Sequence, residues 1–298
     1  MALPDDIRAA CARVAEDARH VEILHAAIEP YARGLRAESP PASDLEGADD
    51  ERRAAFSLTL NAVNFGSGWF PTLRKPPGLS GFRTVETGLR AHGPWRAAEL
   101  AEMTRERIAA AVGQDPDHEL MGLFARHLGE LGERVRDEDG GSFLALARSG
   151  DGSAVALAER LAGWPGWADV SPYDGEPVPF FKRAQIAAAD LVLAGLASAD
   201  DLHRLTLFAD NLVPHVLRID GVLRFDDELV ARIDREEPIE HDSPEEVEIR
   251  ACALHAVELL VQAHGSTTAT AVDNVLWHRG AGPRYKARPR HRARTTAY

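Results

Sequence analysis

Apolar positions recur three and four residues apart along most of this chain, the spacing that gathers them on one side of an α-helix. Ile7, Cys11 and Val14 begin the rhythm in a helical region over 5–36, where Pro30 opens or kinks a second helix. It continues over 82–112 and 117–136, and over 142–163 as a helix pair broken at "SGDGS". "FKRAQIAAADLVLAGL", 201–217 and 245–263 read as helices too. Ser243, with Glu246 three residues on, makes a capping box before the 245–263 helix. Gly280 stops a helix through "ATAVDNVLWHRG". Period-two alternation never runs far enough for a sheet of consequence. The pattern predicts a mainly α-helical protein forming a single domain over 1–298.

The interruptions carry as much information as the helices. Residues 36–51, polar with paired prolines, read as a surface loop, and 163–180, with four prolines, as a long one. The acid-rich stretch 234–248 reads as a solvated loop leading into a helix. In "NFGSGWFP" glycines flank Phe65, Trp69 and Phe70, a composition that lets backbone approach something closely or lets the aromatics plug the core.

Charge and composition then narrow the function classes. A net charge of −13 argues against broad gripping of nucleic acid, which needs clustered cations, while leaving room for a local basic pocket. The basic tail "RYKARPRHRARTTAY" could contact RNA, fold back onto an acidic patch or reach an anionic ligand. Cys11 and Cys252 alone exclude a disulfide scaffold and a four-cysteine zinc site. No apolar run is long enough to span a membrane, and the first residues lack a signal peptide's apolar centre, so a cytoplasmic protein is expected. The twelve histidines show no metal-ligand spacing with a third partner, and no phosphate-cradling glycine motif occurs. No metal and no cofactor are expected.

Three constellations could carry chemistry. Lys182, Ile186 and Asp190 fall four apart on one stripe of a helix, either as a buried ion pair bracing the core or as a lysine at a pocket mouth. Asp273 and Trp277 share a helix face, where an indole can stack on a planar base while a carboxylate accepts from its N–H edge; a core tryptophan near a helix start has the same spacing. In "TLFADNLVPHVLR", Asp210 interrupts an apolar helix that ends near Pro214. Such a carboxylate is a helix cap, a salt bridge, or a group that steadies an oxocarbenium-like transition state and positions water.

These segments in order resemble the queuosine-salvage family, the queuosine 5′-phosphate N-glycosylases. The resemblance runs through "ARHVEI", "LNAVNFGSGWFP", "GGSFLALAR", "FFKRAQIAAADL", "FADNLVPHVLRIDGVLRFDDELVARI", "SPEEVEIRACALHAVELL", "DNVLW" and "RHRARTTAY". It implies a helical fold related to that of DNA glycosylases and hydrolysis of a nucleoside 5′-monophosphate to release queuine, a 7-deazaguanine base. Asp210 would be the catalytic carboxylate and Lys182 a pocket residue near the phosphate or ribose. Asp273 and Trp277, with an aromatic among Phe65 and Trp69, would seat the base; Asn211, Pro214, His215 and Asp190 would complete the substrate site. The sequence departs from the family at Asn211 and Leu212, where the family has tyrosine–arginine, and at His278 and Arg279 after "LW". The expected partner is a small-molecule nucleotide, with no membrane and no stable nucleic-acid complex; the oligomeric state is left open. The alternative from another class is a non-catalytic binder of a modified nucleoside or base.

Overall fold

The computed structural model describes residues 3–36 and 49–298, so most of the 36–51 loop lies outside them. Among the described residues the fold is mainly α, with 15 helices and two small two-stranded sheets, as the periodicity predicts. The boundaries follow recognisable stops and starts. The 82–112 region is three helices, Gly81–His92, Ala97–Ala101 and Arg105–Val112, separated by Gly93 and by the Thr104 cap. The 142–163 pair is Phe143–Arg148 and Ala154–Ala162, each capped by a serine hydroxyl.

Four expectations need correction. The N-terminal helical region contains a strand, Val21–Ile23, paired antiparallel with Leu223–Phe225. The 163–180 loop holds a hairpin, Val170–Tyr173 with Glu176–Pro179. Its two-residue turn is Asp174–Gly175, both at positive φ, so the "DG" pair was a readable hairpin signal. The acid-rich stretch is not simply solvated. Glu246 and Glu248 are fully buried. Glu248 Oε2 accepts from the backbone N–H groups of Arg19, His20 and Val21, while Oε1 accepts from the Tyr173 hydroxyl at 2.8 Å. Finally, 201–217 is not one helix. A short 3₁₀ turn, Leu202–Arg204, leads into an extended run, and a helix begins only at Val213. Pro214 sits at its first positions, where a missing N–H costs nothing, so it opens that helix instead of ending one.

Two large apolar clusters form the core, with a small third one of Ala293, Ala297 and Tyr298. One gathers the helices Asp50–Ala62, Glu119–Glu138 and Lys182–Leu193; the other forms around the helix Pro244–His264. Phe181 packs against both. At this seam Asp169 and Arg250 form a fully buried bidentate pair, with N–O distances of 2.9 and 2.8 Å. The guanidinium lies over the rings of Phe180 and Tyr298, at 3.9 and 4.5 Å from their centroids. Its Nε donates to the Ala209 carbonyl, and Asp169 Oδ2 accepts from the Lys182 backbone N–H at 3.0 Å. Removing Asp169 leaves the buried guanidinium only the longer contact to Glu246, at 3.9 Å. Asp169→Asn is expected to lower the unfolding free energy by about 3–5 kcal/mol, read by urea denaturation; a shift within scatter would show the pair to be dispensable.

His127 and His291 are buried, and burial first of all pushes both pKa values down to about 3. The folded chain keeps them neutral, whereas the unfolded chain protonates them near ~6.5. Their contribution is complete above that value and is lost as pH falls toward 3, at up to about 1.4 kcal/mol per pH unit for each histidine. Denaturation midpoints at pH 7 and pH 5 should differ accordingly, and His291→Gln should flatten the slope. Equal slopes in both proteins would contradict this.

Candidate active site

A cavity of about 710 Å³ opens at the seam. Phe65, Ile186 and Phe208 line it from one cluster; Leu212, Trp277 and Tyr285 line it from the other. Its polar lining includes Asp210, Asp273, Lys182 and arginines of the C-terminal segment. That volume and this mixture of apolar walls with a few polar groups suit a nucleotide-sized ligand.

Asp210 is placed by the extended run before the helix Val213–Ile219. Gln185 Oε1 accepts from Thr206 N–H at one end of that run, and Arg250 holds Ala209 at the other. Asp210 Oδ1 accepts from the backbone N–H groups of Leu212 at 2.7 Å and Val213 at 3.3 Å, closing the turn into the helix. Oδ2 accepts no hydrogen bond among the described residues, and the side chain is half-buried on the cavity wall. One oxygen therefore does the capping that spacing allowed, while the other is left for a ligand.

Lys182 begins the helix Lys182–Leu193, directly after Phe181, whose φ of 48° is rare for a bulky residue. Asp169 holds this turn: its carbonyl accepts from the N–H groups of Phe180 and Phe181. The buried Lys182 ammonium donates to the Asn64 carbonyl at 2.9 Å. Burial pushes its pKa down to about 8, against the pull of Asp210 and Asp273. No ion pair with Asp190 forms. Asp190 instead accepts from Asn61 Nδ2 at 2.8 Å, lies off the cavity wall, and is pushed up to about 6 by burial.

Asp273 is buried on the helix Ala269–Arg279. Burial and then the nearby Asp210 carboxylate raise its pKa well above its ordinary value, with the Phe208 N–H and Lys182 opposing. Two acids thus share one cavity in unlike environments. Trp277 is half-buried, with the Phe82 ring edge-on at 6.3 Å and the Arg83 guanidinium 5.2 Å from its centroid.

Of the remaining predicted residues, Phe65, Asn211 and His215 also line the cavity. Asn211 Nδ2 donates to the His291 carbonyl at 3.1 Å. His215 Nε2 donates to the Tyr285 carbonyl at 2.9 Å, and burial pushes its pKa down to about 4, which keeps the ring neutral. Trp69 and Pro214 are not on the wall; Trp69 is buried and its indole N–H donates to Glu119 at 2.7 Å. Spacing alone missed Phe82, Arg83 and Arg290, although the basic tail had signalled a place for cations. Away from the cavity, His241, Asp242 and Glu246 converge within 4.8 Å. Burial lowers the His241 pKa, but Glu246 and Asp242 hold it above its ordinary value, a state suited to an ion pair.

The fold and site define a helical protein with a nucleotide-sized cavity bearing paired acids and cations. The sequence model described as queuosine salvage protein matches residues 82–298. The chain is 36% identical over 311 residues to the queuosine 5′-phosphate N-glycosylase/hydrolase of Sphaerobacter thermophilus, covering 96% of this chain and 95% of that protein. It is 32% identical over 212 residues to the protein of the same name from Dictyostelium discoideum, covering 68% and 65%. The chain belongs to the queuosine-salvage family.

The C-terminal segment completes the cavity by lying against "NFGSGWFP". Gly66 N–H donates to the Tyr298 carbonyl at 3.1 Å. A Cβ at Gly68 would stand 2.5 Å from the Ala293 carbonyl oxygen. The glycines therefore permit the close approach their composition suggested. Gly68→Ala should displace the segment, at a cost of about 1–3 kcal/mol, and expose Arg290 and Arg292 to trypsin. Unchanged cleavage kinetics and stability would refute this.

Proposed function

We propose that this protein hydrolyses the N-glycosidic bond of queuosine 5′-monophosphate, releasing queuine. The observation that carries the reading is the pair of acids in one cavity, Asp210 with an oxygen that accepts no hydrogen bond among the described residues and Asp273 buried with its pKa raised. Family membership with near-complete coverage of a relative bearing that name supports it.

In the proposed reaction Asp210 Oδ2 faces the ribose as positive charge develops at C1′ and the ring oxygen, and then positions the attacking water. A 7-deazapurine lacks N7, the nitrogen at which purine leaving groups are commonly protonated. Its departure therefore benefits from a neutral acid elsewhere on the base, and Asp273 has both a donor and an acceptor for that edge. The Trp277 indole and Phe65 offer apolar faces to the ring, and Lys182 holds the sugar-phosphate side, its protonated form favoured by both acids. Asn211 and Leu212, whose departure from the family suggested a binder without activity, have scaffold work instead. Asn211 ties down the C-terminal segment, and Leu212 packs on Gly280.

Purified protein incubated with queuosine 5′-monophosphate should release the free base, followed by chromatography. Asp210→Asn should lower kcat by at least ~100-fold, the scale of one catalytic carboxylate. Asp273→Asn preserves shape and hydrogen bonding but cannot give up a proton, so kcat should fall with little change in KM. Full activity in Asp210→Asn would remove that residue from the chemistry; binding without turnover by the unaltered protein would reject the hydrolase reading.

A further inference from the structure

The cavity carries several cations, and nearly all are already engaged or solvated. Arg83 is paired with Glu86 at 2.6 Å, and Arg292 with Glu236 at 2.6 Å. Lys182 donates to Asn64, while Lys286 and Arg288 are exposed. Arg290 differs from all of these. It lies on the cavity wall and is half-buried, and among the described residues its guanidinium donates to no carbonyl, carboxylate or hydroxyl. Its five N–H donors are therefore free to meet the oxygens of a ligand that enters the cavity.

Its position is also fixed with unusual care for a segment without regular structure. The Pro289 carbonyl accepts from Arg218, the His291 carbonyl from Asn211, and the Arg292 carbonyl from the Ile239 N–H. Arg290 is thus bracketed on both sides by backbone anchors. One of those anchors, Asn211, is the residue next to Asp210. Arg290 and Asp210 both line the cavity; burial lowers the Arg290 pKa, and the Asp210 carboxylate opposes that shift. A group bound by this guanidinium therefore shares the cavity with the carboxylate proposed to face the ribose. On a nucleoside 5′-monophosphate the anion that meets this requirement is the 5′-phosphate, borne by the same ribose.

We infer that Arg290 is the phosphate-recognition residue of this cavity, and that it gives the enzyme its preference for the nucleotide over the unphosphorylated nucleoside. This rests on the proposed glycosidase reading and assigns within it a substrate contact from the C-terminal segment. Planar, paired N–H donors match phosphate oxygens bidentately, which a lysine in the same place cannot do.

Two measurements test it. Ratios of kcat/KM for nucleotide against nucleoside should fall on the order of 10- to 100-fold in Arg290→Gln, the scale of one charge-assisted contact, with partial recovery in Arg290→Lys. A ratio that stays at the unaltered value, or an equal loss on both substrates, would make Arg290 a scaffold residue or a counter-charge to Asp210 and overturn the inference. Independently of turnover, ribose 5-phosphate should raise the melting temperature of the unaltered protein and leave that of Arg290→Gln unmoved. An equal rise in both would overturn the inference even if the glycosidase reading stood. Conversely, a rise confined to the unaltered protein would uphold Arg290 even if no base were released.

Discussion

The buried Asp169–Arg250 pair is the constraint on which the site depends. A guanidinium and a carboxylate taken out of water are tolerated only when each remaining donor and acceptor is used. Here the unused capacity is spent on backbone: Arg250 Nε holds the Ala209 carbonyl, and Asp169 holds the N–H of Lys182 and, through its own carbonyl, those of Phe180 and Phe181. Asp210 and Lys182 are distant in sequence and stand on different elements. They meet in one cavity because both are a single residue away from, or part of, backbone fixed by the same ion pair. The strained turn at Phe181 persists for the same reason, since three hydrogen bonds to Asp169 over-determine it.

The electrostatics of the cavity follow from this fixed geometry. Burial disfavours charge on Lys182 and Asp273, lowering the pKa of the first and raising that of the second. Asp210 has one oxygen stabilised by two backbone N–H groups and adds its charge to the burden on Asp273. Two chemically identical side chains thereby stand in unlike surroundings, one capped by backbone donors and one buried. The asymmetry comes from local backbone donors and depth of burial, with no change of residue type.

Much of this was legible in the sequence because helix periodicity reports burial directly. The stripe Lys182–Ile186 and the pair Asp273–Trp277 could be placed on faces by spacing, and the cavity collects all four. Asp190 shows the limit: it shares the stripe, but two turns carry it past the cavity to Asn61. Spacing fixes a face, and depth along the helix axis depends on where the neighbouring elements stop. The 201–217 segment was misread for a related reason. Its apolar run fits a buried extended chain as well as a helix, and the deciding partners, Gln185 and Arg250, lie far away in sequence. Pro214 suited either a helix end or a helix start, and only the tertiary anchoring of Ala209 selects the start.

The C-terminal segment extends that argument from placement to recognition. On a chain of net charge −13, a run of arginines would repel little and bind acidic surface broadly if left free. Anchoring its carbonyls to Arg218, Asn211 and Ile239 converts a diffuse charge into single guanidinium groups at defined points. Arg292 is then neutralised by Glu236 and Arg294 reaches Glu119, so most of the run's charge is answered by the protein. Arg290, half-buried at the cavity wall, has no protein acceptor among the described residues. Irregular backbone can be as discriminating as a helix when hydrogen bonds fix it on both sides of the residue that matters. In this protein that backbone lies against glycines whose missing side chains leave room for it.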